Sequence, residues 1–283
     1  MNTSYLEHEG GRIAYDDTGS GTLQTSGMLV VCAPSMGDLR AEYRFLAPQL
    51  VSAGYRVASV DLRGHGETSP RWPDYSVSGL GSDLIALIRS LEAGPAAIIG
   101  TSMSAASAVW AAAEAPELVT GLALIGPFVR GEANWRSKLT YSALFARPWG
   151  PAVWQLYYAM LYPTRKPEDF AEYSAGLRAN LKEPGRMAAL KQMMLESKAS
   201  AEERLPRVKA PVLVIMGSKD PDFKDPEAEA KWVAESLRGR YEMVQGAGHY
   251  PHAEMPEVTG PLILSFLQIL KVANETPSSS SAP

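Results

Sequence analysis

Continuous apolar runs of strand length alternate along the chain with longer segments in which apolar residues recur every three or four positions. The runs occupy residues 28–33, 55–60, 95–99, 119–125, 211–216 and 241–244. Helical spacing occupies residues 41–53, 77–91, 103–115, 226–237 and 257–272. Because strands that are apolar on both faces need cover on both sides, the alternation predicts an α/β fold with a mostly parallel sheet and helices on both faces.

Two regions depart from this alternation. We expect residues 6–15 to form an antiparallel hairpin at one edge of the sheet, whereas residues 128–205 contain helical segments and many prolines but no strand. The sequence therefore predicts a core made of residues 1–127 and 206–273, with residues 128–205 inserted as a helical lid over the carboxyl edge of the sheet. The Ser- and Pro-rich residues 274–283 are expected to form a disordered tail.

The segment around Ser102 has the pattern of a strand–turn–helix junction. An apolar strand runs into Gly100, Ser102 follows, and small residues including Ser104 then open a helix. In such a turn the serine projects its hydroxyl out of the sheet, and the flanking residues must be small because strand and helix nearly touch. The pattern predicts a nucleophile at Ser102. The alternative is a structural serine that caps the helix.

A serine nucleophile needs a base within hydrogen-bond reach and an acid that orients this base. His249 follows the last predicted strand in a glycine-rich loop and is the predicted base, with His252 as its competitor. Asp220 follows another predicted strand and is the predicted acid, while Asp222 is either the alternative acid or a solvated turn residue. His65 is expected to pack beneath the region that binds the oxyanion.

Four segments together make the chain resemble the α/β-hydrolase superfamily from about Leu6 to Val272. They are Gly100-Thr101-Ser102-Met103-Ser104, residues 61–69, Gly217-Ser218-Lys219-Asp220 and Gly246-Ala247-Gly248-His249. The resemblance implies the α/β-hydrolase fold and a Ser102–Asp220–His249 triad in the chain order of the family. The chain departs from the family pattern G-x-S-x-G because Ser104 stands at the second glycine.

Acyl transfer also requires backbone donors for the developing oxyanion. Position assigns one donor to the N–H of Met103, directly after the nucleophile. The other is the N–H of Met36, in the loop after the first parallel strand. Members of the superfamily usually have His-Gly before this second donor, whereas this chain has Pro34 and Ser35.

Aromatic residues concentrate in the predicted lid, where they either form a small core of the lid or line an apolar substrate pocket. We predict substrate contacts from six residues in and around this region: Ser35, Phe128, Trp135, Trp154, Tyr158 and Tyr250. Three arginines either meet a substrate carboxylate or belong to the solvated surface: Arg130, Arg136 and Arg147.

Charge and cysteine content exclude several classes of protein. A formal net charge of -4 and a pI near 5.7 argue against nucleic-acid binding. Cys32 is the only cysteine, which excludes an internal disulfide, and the sequence has no cluster with metal-ligand spacing, no secretory signal and no membrane-spanning run. We expect a cytoplasmic monomer or homodimer that uses neither a metal nor an organic cofactor.

These residues predict a serine hydrolase that forms an acyl-enzyme on Ser102. The expected substrate is a small, apolar or aromatic acyl or ketone compound, cleaved at an ester, a thioester, a lactone or a carbon–carbon bond next to a carbonyl. Two alternatives stay open. One is a lyase or a cofactor-free oxygenase that uses His249 as a base without an acyl-enzyme, and the other is a ligand sensor that keeps the hydrolase fold.

Overall fold

The computed structural model describes residues 3–19, 27–131, 135–146 and 148–275, without the side chains of residues 135–138, 274 and 275. The strands are β1 (Ser4–His8), β2 (Gly11–Asp17), β3 (Leu29–Ala33), β4 (Arg56–Val60), β5 (Ala96–Thr101), β6 (Val119–Ile125), β7 (Val212–Gly217) and β8 (Arg240–Val244). The helices are α1 (Ala47–Ser52), α2 (Val77–Ser90), α3 (Met103–Glu114), α4 (Trp135–Leu144), α5 (Gly150–Met160), α6 (Phe170–Lys182), α7 (Arg186–Leu195), α8 (Ala199–Glu202), α9 (Pro226–Ser236), α10 (Pro251–Glu254) and α11 (Pro256–Glu275).

The described strands form one sheet in the order β1-β2-β4-β3-β5-β6-β7-β8. Neighbouring strands from β4 to β8 are parallel, whereas β1 pairs antiparallel with β2, and β2 pairs antiparallel with β4. A short turn suffices to reverse the chain into a hairpin, but each parallel neighbour requires a crossover. The predicted α/β-hydrolase sheet and its antiparallel edge hairpin are confirmed.

Side chains that alternate along the central strands face two separate apolar cores. Val31 and Val214 belong to the core that is covered by α2, α3 and α9. Val30 and Leu213 belong to the core on the other face, which is covered by α1 and α11. Because both faces of these strands are buried, they read in the sequence as continuous apolar runs rather than as alternating ones.

Two predicted helices have different bounds in the structure. The segment predicted as one helix over residues 41–53 is a 3₁₀ turn at Arg40–Tyr43 followed by α1. Pro48 lies in the first turn of α1, because deeper inside a helix its ring would clash with the carbonyl four residues before it. Helix α11 reaches Glu275, so the first two residues of the predicted tail are helical, and residues 276–283 lie outside the described residues. Neither α11 nor any other described helix is long and apolar enough to cross a membrane.

The chain between β6 and β7 is helical, and its described residues contain no strand. Helices α4 to α8 lie in this insertion, and polar contacts join it to the loops after β3 and β4. The Trp154 Nε1–H donates to Gly37 O at 3.1 Å, and the buried Arg186 guanidinium donates to Thr68 O. Since loops after parallel strands emerge at their carboxyl ends, the insertion lies over that edge of the sheet.

Candidate active site

Ser102 lies in a strained turn between β5 and α3. Its φ is 57° and its ψ is -118°, a conformation that costs a non-glycine residue on the order of 1–3 kcal/mol. The backbone on both sides holds it there, because its N–H donates to Ile125 O at 2.8 Å and its C=O accepts from the N–H of Phe128 at 3.2 Å. The Ser102 side chain makes no capping hydrogen bond to α3, so the alternative of a helix-capping serine is wrong.

Space beside this turn is limited on both sides. A Cβ added at Gly100 would lie 2.7 Å from Ser104 O, so the backbone of α3 leaves no room for a side chain there. At Ser104 the side chain makes a contact instead, because its hydroxyl donates to Pro34 O at 2.5 Å in a buried position. The serine that stands in place of the second family glycine therefore joins the turn to the loop after β3.

The loops after β7 and β8 bring Asp220 and His249 together. His249 Nδ1 and Asp220 Oδ2 are 2.7 Å apart, and both side chains are buried. The His249 N–H donates to Leu161 O in the insertion at 3.0 Å, which fixes the backbone of this loop. With Nδ1 bonded to the carboxylate, Nε2 is the ring nitrogen left for Ser102, which lines the same cavity. Among the described residues no hydrogen bond joins the Ser102 hydroxyl to this ring.

The charges around His249 favour its protonated form. Burial opposes the charged ring, but the charge and hydrogen bond of Asp220, together with the charges of Asp222 and Glu42, outweigh burial and raise the pKa of His249 to about 9. A more basic imidazole takes a proton more readily from an attacking hydroxyl, provided that it is unprotonated when substrate binds. The bond at Nδ1 also fixes the tautomer, because only a protonated Nδ1 can donate to a carboxylate.

Asp222, the alternative acid, has a different partner. Its two carboxylate oxygens accept the Tyr157 hydroxyl at 2.6 and 2.7 Å, and it lies 3.7 Å from His249 Nδ1, farther than Asp220 does. It is therefore neither a solvated turn residue nor the carboxylate nearest to the ring.

Asp220, Asp222 and His249 form a group that could hold a metal ion. Among the described residues, their potential ligand atoms lie within 4.8 Å of one another. Both carboxylates there already accept protein donors, which a cation would have to replace.

His65, and His252 as the competitor of His249, both lie in contacts outside the cavity. His65 Nε2 accepts the Gly37 N–H at 3.0 Å, while its Nδ1–H donates to Arg63 O at 2.9 Å. Burial lowers the pKa of His65 to about 4, which keeps its ring neutral beneath the loop after β3. His252 is buried, and its Nε2 lies 3.0 Å from Glu42 Oε1. Neither ring belongs to the described lining of the cavity beside Ser102.

The loop after β3 presents one backbone N–H without a described acceptor. The Ser35 N–H donates to Glu42 Oε2 at 2.7 Å, and the Gly37 N–H is taken by the histidine ring beneath it. The N–H of Met36 between them, and that of Met103 at the start of α3, donate to no acceptor among the described residues. A first helical residue has no acceptor within its own helix. Because both methionines line the cavity, the site can offer two backbone donors to an oxygen that gains charge.

A cavity of about 520 Å³ lies between this edge of the sheet and the insertion. Ser102 and His249 line it, as do most of the residues that the sequence predicts for oxyanion or substrate contact: Ser35, Met36, Met103, Phe128, Trp154 and Tyr250. Trp135 is the first residue of α4, and its side chain lies outside the described residues. The lining thus combines apolar walls with a few polar groups, as is common for small-molecule sites.

Tyr158 is not part of the described cavity lining, so its prediction as a substrate contact needs correction. Its side chain is buried among other aromatic rings, and its hydroxyl lies 2.9 Å from the hydroxyl of Tyr162. The preceding residue, Tyr157, lines the cavity instead. Successive residues of a helix point about 100° apart, so a helix that faces the cavity with Tyr157 directs Tyr158 elsewhere.

The cavity lining also includes charged residues that the sequence does not single out. Lys198 and Glu196 lie between α7 and α8 and line it, but a short polar segment between helices reads as ordinary surface. Arg130, one of the three arginines named from the sequence, also lines the cavity, but it is partly exposed to solvent and its guanidinium is paired with Glu229, with its Nε–H donating at 3.0 Å. The other two candidate arginines have side chains outside the described residues: Arg136 and Arg147.

Comparison with known proteins identifies the family to which the fold points. A family model for the alpha/beta hydrolase family matches residues 30–260. The chain belongs to this family. Its predicted resemblance is thereby confirmed, and its relatives and structural neighbours include esterases and lactonases.

Three of these similar proteins illustrate the range of names within the family. A Mycobacterium tuberculosis protein provisionally named non-heme bromoperoxidase BpoC is 29% identical over 277 residues, covering 92% of this chain and 98% of its own. The 3-oxoadipate enol-lactonase 2 of Acinetobacter baylyi is 27% identical, covering 72% of this chain and 75% of its own. An esterase structure from Exiguobacterium antarcticum superposes with a TM-score of 0.80 at 20% identity, over 95% of this chain and all of its own. At that identity the likeness concerns the fold.

Proposed function

We propose that this member of the alpha/beta hydrolase family is a serine hydrolase with a Ser102–His249–Asp220 triad. Its substrates are carboxylic esters, thioesters or lactones, or compounds with a carbon–carbon bond next to a carbonyl. The observation that carries the proposal is the strained turn at Ser102, which shares one cavity with a buried imidazole–carboxylate pair. A serine hydroxyl is a weak nucleophile unless a base takes its proton, and the relative named as an enol-lactonase supports this reaction class.

The first half of the reaction transfers the acyl group to the enzyme. Ser102 Oγ attacks the substrate carbonyl while His249 Nε2 accepts the hydroxyl proton, and Asp220 stabilises the imidazolium that results. The carbonyl oxygen gains negative charge and accepts hydrogen bonds from the N–H groups of Met36 and Met103. His249 then returns the proton to the leaving group as the bond to the carbonyl carbon breaks, which leaves an ester on Ser102.

The second half releases the acid by the same groups. Water replaces the leaving group and gives a proton to His249 as its oxygen attacks the acyl carbon. The oxyanion forms again at the same two N–H groups, and His249 protonates Ser102 Oγ when the ester bond breaks. The products are a carboxylic acid and the regenerated hydroxyl, so that the cycle needs only water as a second substrate.

We also propose that residues 128–205 act as a lid on a core formed by residues 1–127 and 206–273. Phe128 and Trp154 from this insertion, with Tyr250 and Ser35 from the core, contact the acyl or aromatic part of the substrate. Burial of apolar substrate surface against such side chains contributes about 25 cal/mol for each Å² removed from water. This contribution favours an apolar group next to the scissile carbonyl.

The direct test is Ser102→Ala, assayed with 4-nitrophenyl esters of short fatty acids. We expect the variant to keep the wild-type melting temperature and to lose at least about 10⁴-fold in kcat, because the nucleophile is removed while the site stays in place. Ser107→Ala is the matched control, since it removes a hydroxyl from α3, the helix that follows the turn. A Ser102→Ala variant with wild-type turnover would refute the assignment.

A fluorophosphonate probe separates the alternatives. Mass spectrometry should find the label on the peptide that contains Ser102, and the labelled protein should be inactive. Absence of both labelling at Ser102 and ester turnover would favour a lyase or a cofactor-free oxygenase. A single turnover accompanied by a large rise in melting temperature would favour a ligand sensor instead.

A further inference from the structure

Four charged side chains line the cavity besides His249: Arg130, Asp222, Glu196 and Lys198. Arg130 is paired with Glu229 outside the cavity, and Asp222 accepts the Tyr157 hydroxyl with both oxygens. The remaining two, Lys198 and Glu196, are neighbours in the segment between α7 and α8. Of the four, Lys198 is a buried cation whose ammonium has a single described acceptor.

The Lys198 ammonium is buried at the wall of the cavity with only part of its donor capacity used. Its Nζ donates to Glu196 O at 2.8 Å, the one acceptor that the described residues give it. An ammonium has three N–H donors, so a single carbonyl leaves two of them for other partners. The backbone around it is fixed independently, because the Lys198 N–H donates to Gly131 O at 3.1 Å.

Lys198 is thus a cation held in mainly apolar surroundings. Burial lowers the pKa of the Lys198 ammonium to about 8, although the charge of Glu196 opposes this change. The group stays protonated in neutral solution, and a buried charge is costly unless an opposite charge and hydrogen bonds accompany it. An anionic ligand in the cavity provides both.

We propose that Lys198 binds a carboxylate carried by the substrate, apart from the carbonyl that reacts. The preferred substrates are therefore esters or lactones that contain one free carboxylate, a substrate class that rests on the proposed hydrolase function. A carboxylate is favoured over a phosphate because one ammonium balances one negative charge. Glu196 and Asp222 in the same lining would repel a dianion more strongly than a monoanion.

The kinetic test compares 4-nitrophenyl half-esters of dicarboxylic acids of six, eight and ten carbons with 4-nitrophenyl esters of the monoacids of equal length. A second pair, 4-acetoxybenzoate and phenyl acetate, places the carboxylate on the leaving group. For each pair, the kcat/KM of the ester with a free carboxylate is divided by that of the ester without one. The protonation of His249 affects both values equally and therefore cancels in this ratio. We expect at least one ratio to favour the carboxylate, and Lys198→Met to lower it by at least about tenfold, the loss typical of a charge-assisted hydrogen bond.

Two further variants distinguish the charge from a structural role of the side chain. Lys198→Arg keeps the positive charge and should retain the preference. Lys191→Met is the matched control, because Lys191 also donates to a carbonyl of the insertion, Ser142 O at 3.2 Å, but does not belong to the described lining. In the wild type the preference should decrease as the pH rises through about 8, because the ammonium loses its proton, whereas in Lys198→Arg it should persist.

A binding measurement separates this inference from the proposed reaction. Calorimetric titration of Ser102→Ala with monomethyl suberate and with dimethyl suberate compares two ligands of equal chain length, of which only the first has a free carboxylate. Tighter binding of monomethyl suberate that Lys198→Met abolishes supports the carboxylate site, even if no ester is hydrolysed and the proposed function fails. Equal binding of the two ligands, or a kinetic preference that is unchanged in Lys198→Met, overturns the inference while leaving the hydrolase assignment intact.

Discussion

At the scale of single residues, side chains of the same type differ in their contacts and in their pKa because their surroundings differ. His65 and His249 are both buried, but His65 contacts backbone groups and has a lowered pKa, whereas His249 contacts a carboxylate and has a raised one. Asp220 and Asp222 differ in the same way, because Asp220 bonds the imidazole and Asp222 accepts the Tyr157 hydroxyl. The contacts of each side chain, rather than its residue type, distinguish the two members of each pair.

The raised pKa of His249 leads to a prediction for Asp222→Asn. Only the unprotonated ring can act as a base, so kcat/KM for a neutral ester should rise with pH through about 9. The charge of Asp222 helps to raise this pKa, and its removal should move the rising limb to lower pH by at least about 0.3 unit, or about 0.4 kcal/mol. The measurement is the pH profile of kcat/KM.

Tyr157→Phe is the control for this shift, because it removes the hydroxyl that contacts Asp222 but keeps the carboxylate. Its rising limb should not move to lower pH. If the rising limb of the Asp222→Asn profile lay at the same pH as in the wild type, the charge of Asp222 would not act on the base.

At the scale of secondary-structure elements, the loop after β3 is held to three other parts of the core. Its Pro34 carbonyl accepts from Ser104 on α3, its Ser35 N–H donates to Glu42, and its Gly37 N–H donates to His65. These contacts hold the backbone on both sides of the proposed Met36 donor. Since an oxyanion hole works through donors that are in place before the reaction, a rigid loop favours catalysis.

Ser104→Ala tests the first of these contacts. The variant keeps the Cβ but leaves Pro34 O without its donor, and an unsatisfied buried acceptor costs about 1–3 kcal/mol. We expect a lower melting temperature and a severalfold lower kcat, with little change in KM. Ser107→Ala removes another buried hydroxyl of α3, one with no partner among the described residues, and should leave kcat unchanged. Equal kcat values for the two variants would show that this contact does not position the loop.

At the scale of the whole molecule, the cavity exists only because the insertion and the core meet. Trp154 contributes to both sides of this boundary, because its ring lines the cavity while its Nε1–H donates to Gly37 O in the core. A Cβ at Gly37 would lie 2.2 Å from the Trp154 ring, so that glycine is needed for the close approach. The Trp154 side chain thereby couples the insertion to the loop after β3.

Trp154→Phe tests this coupling. Phenylalanine retains an aromatic ring but loses the N–H donor and part of the packed volume, so we expect kcat/KM for a short ester to fall by about tenfold and the insertion to be cleaved faster in limited proteolysis. Trp149→Phe is the matched control, since Trp149 Nε1–H donates to Ala143 O within the insertion and its ring is exposed. Similar losses in both variants would contradict a specific role for the contact with Gly37.

The sequence by itself determined the features that depend on local pattern and on chain order. Apolar runs and helical spacing gave the parallel sheet, its edge hairpin and the strand-free insertion, because burial on one or both faces of an element leaves a period in the sequence. The glycine and small residues around Ser102 predicted the tight turn, because strand and helix approach each other there over only a few positions. The loops that carry Asp220 and His249 followed from the same strand pattern.

Only the tertiary structure decided which side chains meet across segments that are distant in the chain. Sequence spacing does not tell whether Tyr157 or Tyr158 faces the cavity, because the rotation of α5 is set by the surfaces it packs against. Nor does it distinguish Lys198 from an exposed lysine, since its burial arises where the insertion closes over the core. Periodicity records how much of an element is buried, whereas the identity of its partners depends on packing between elements.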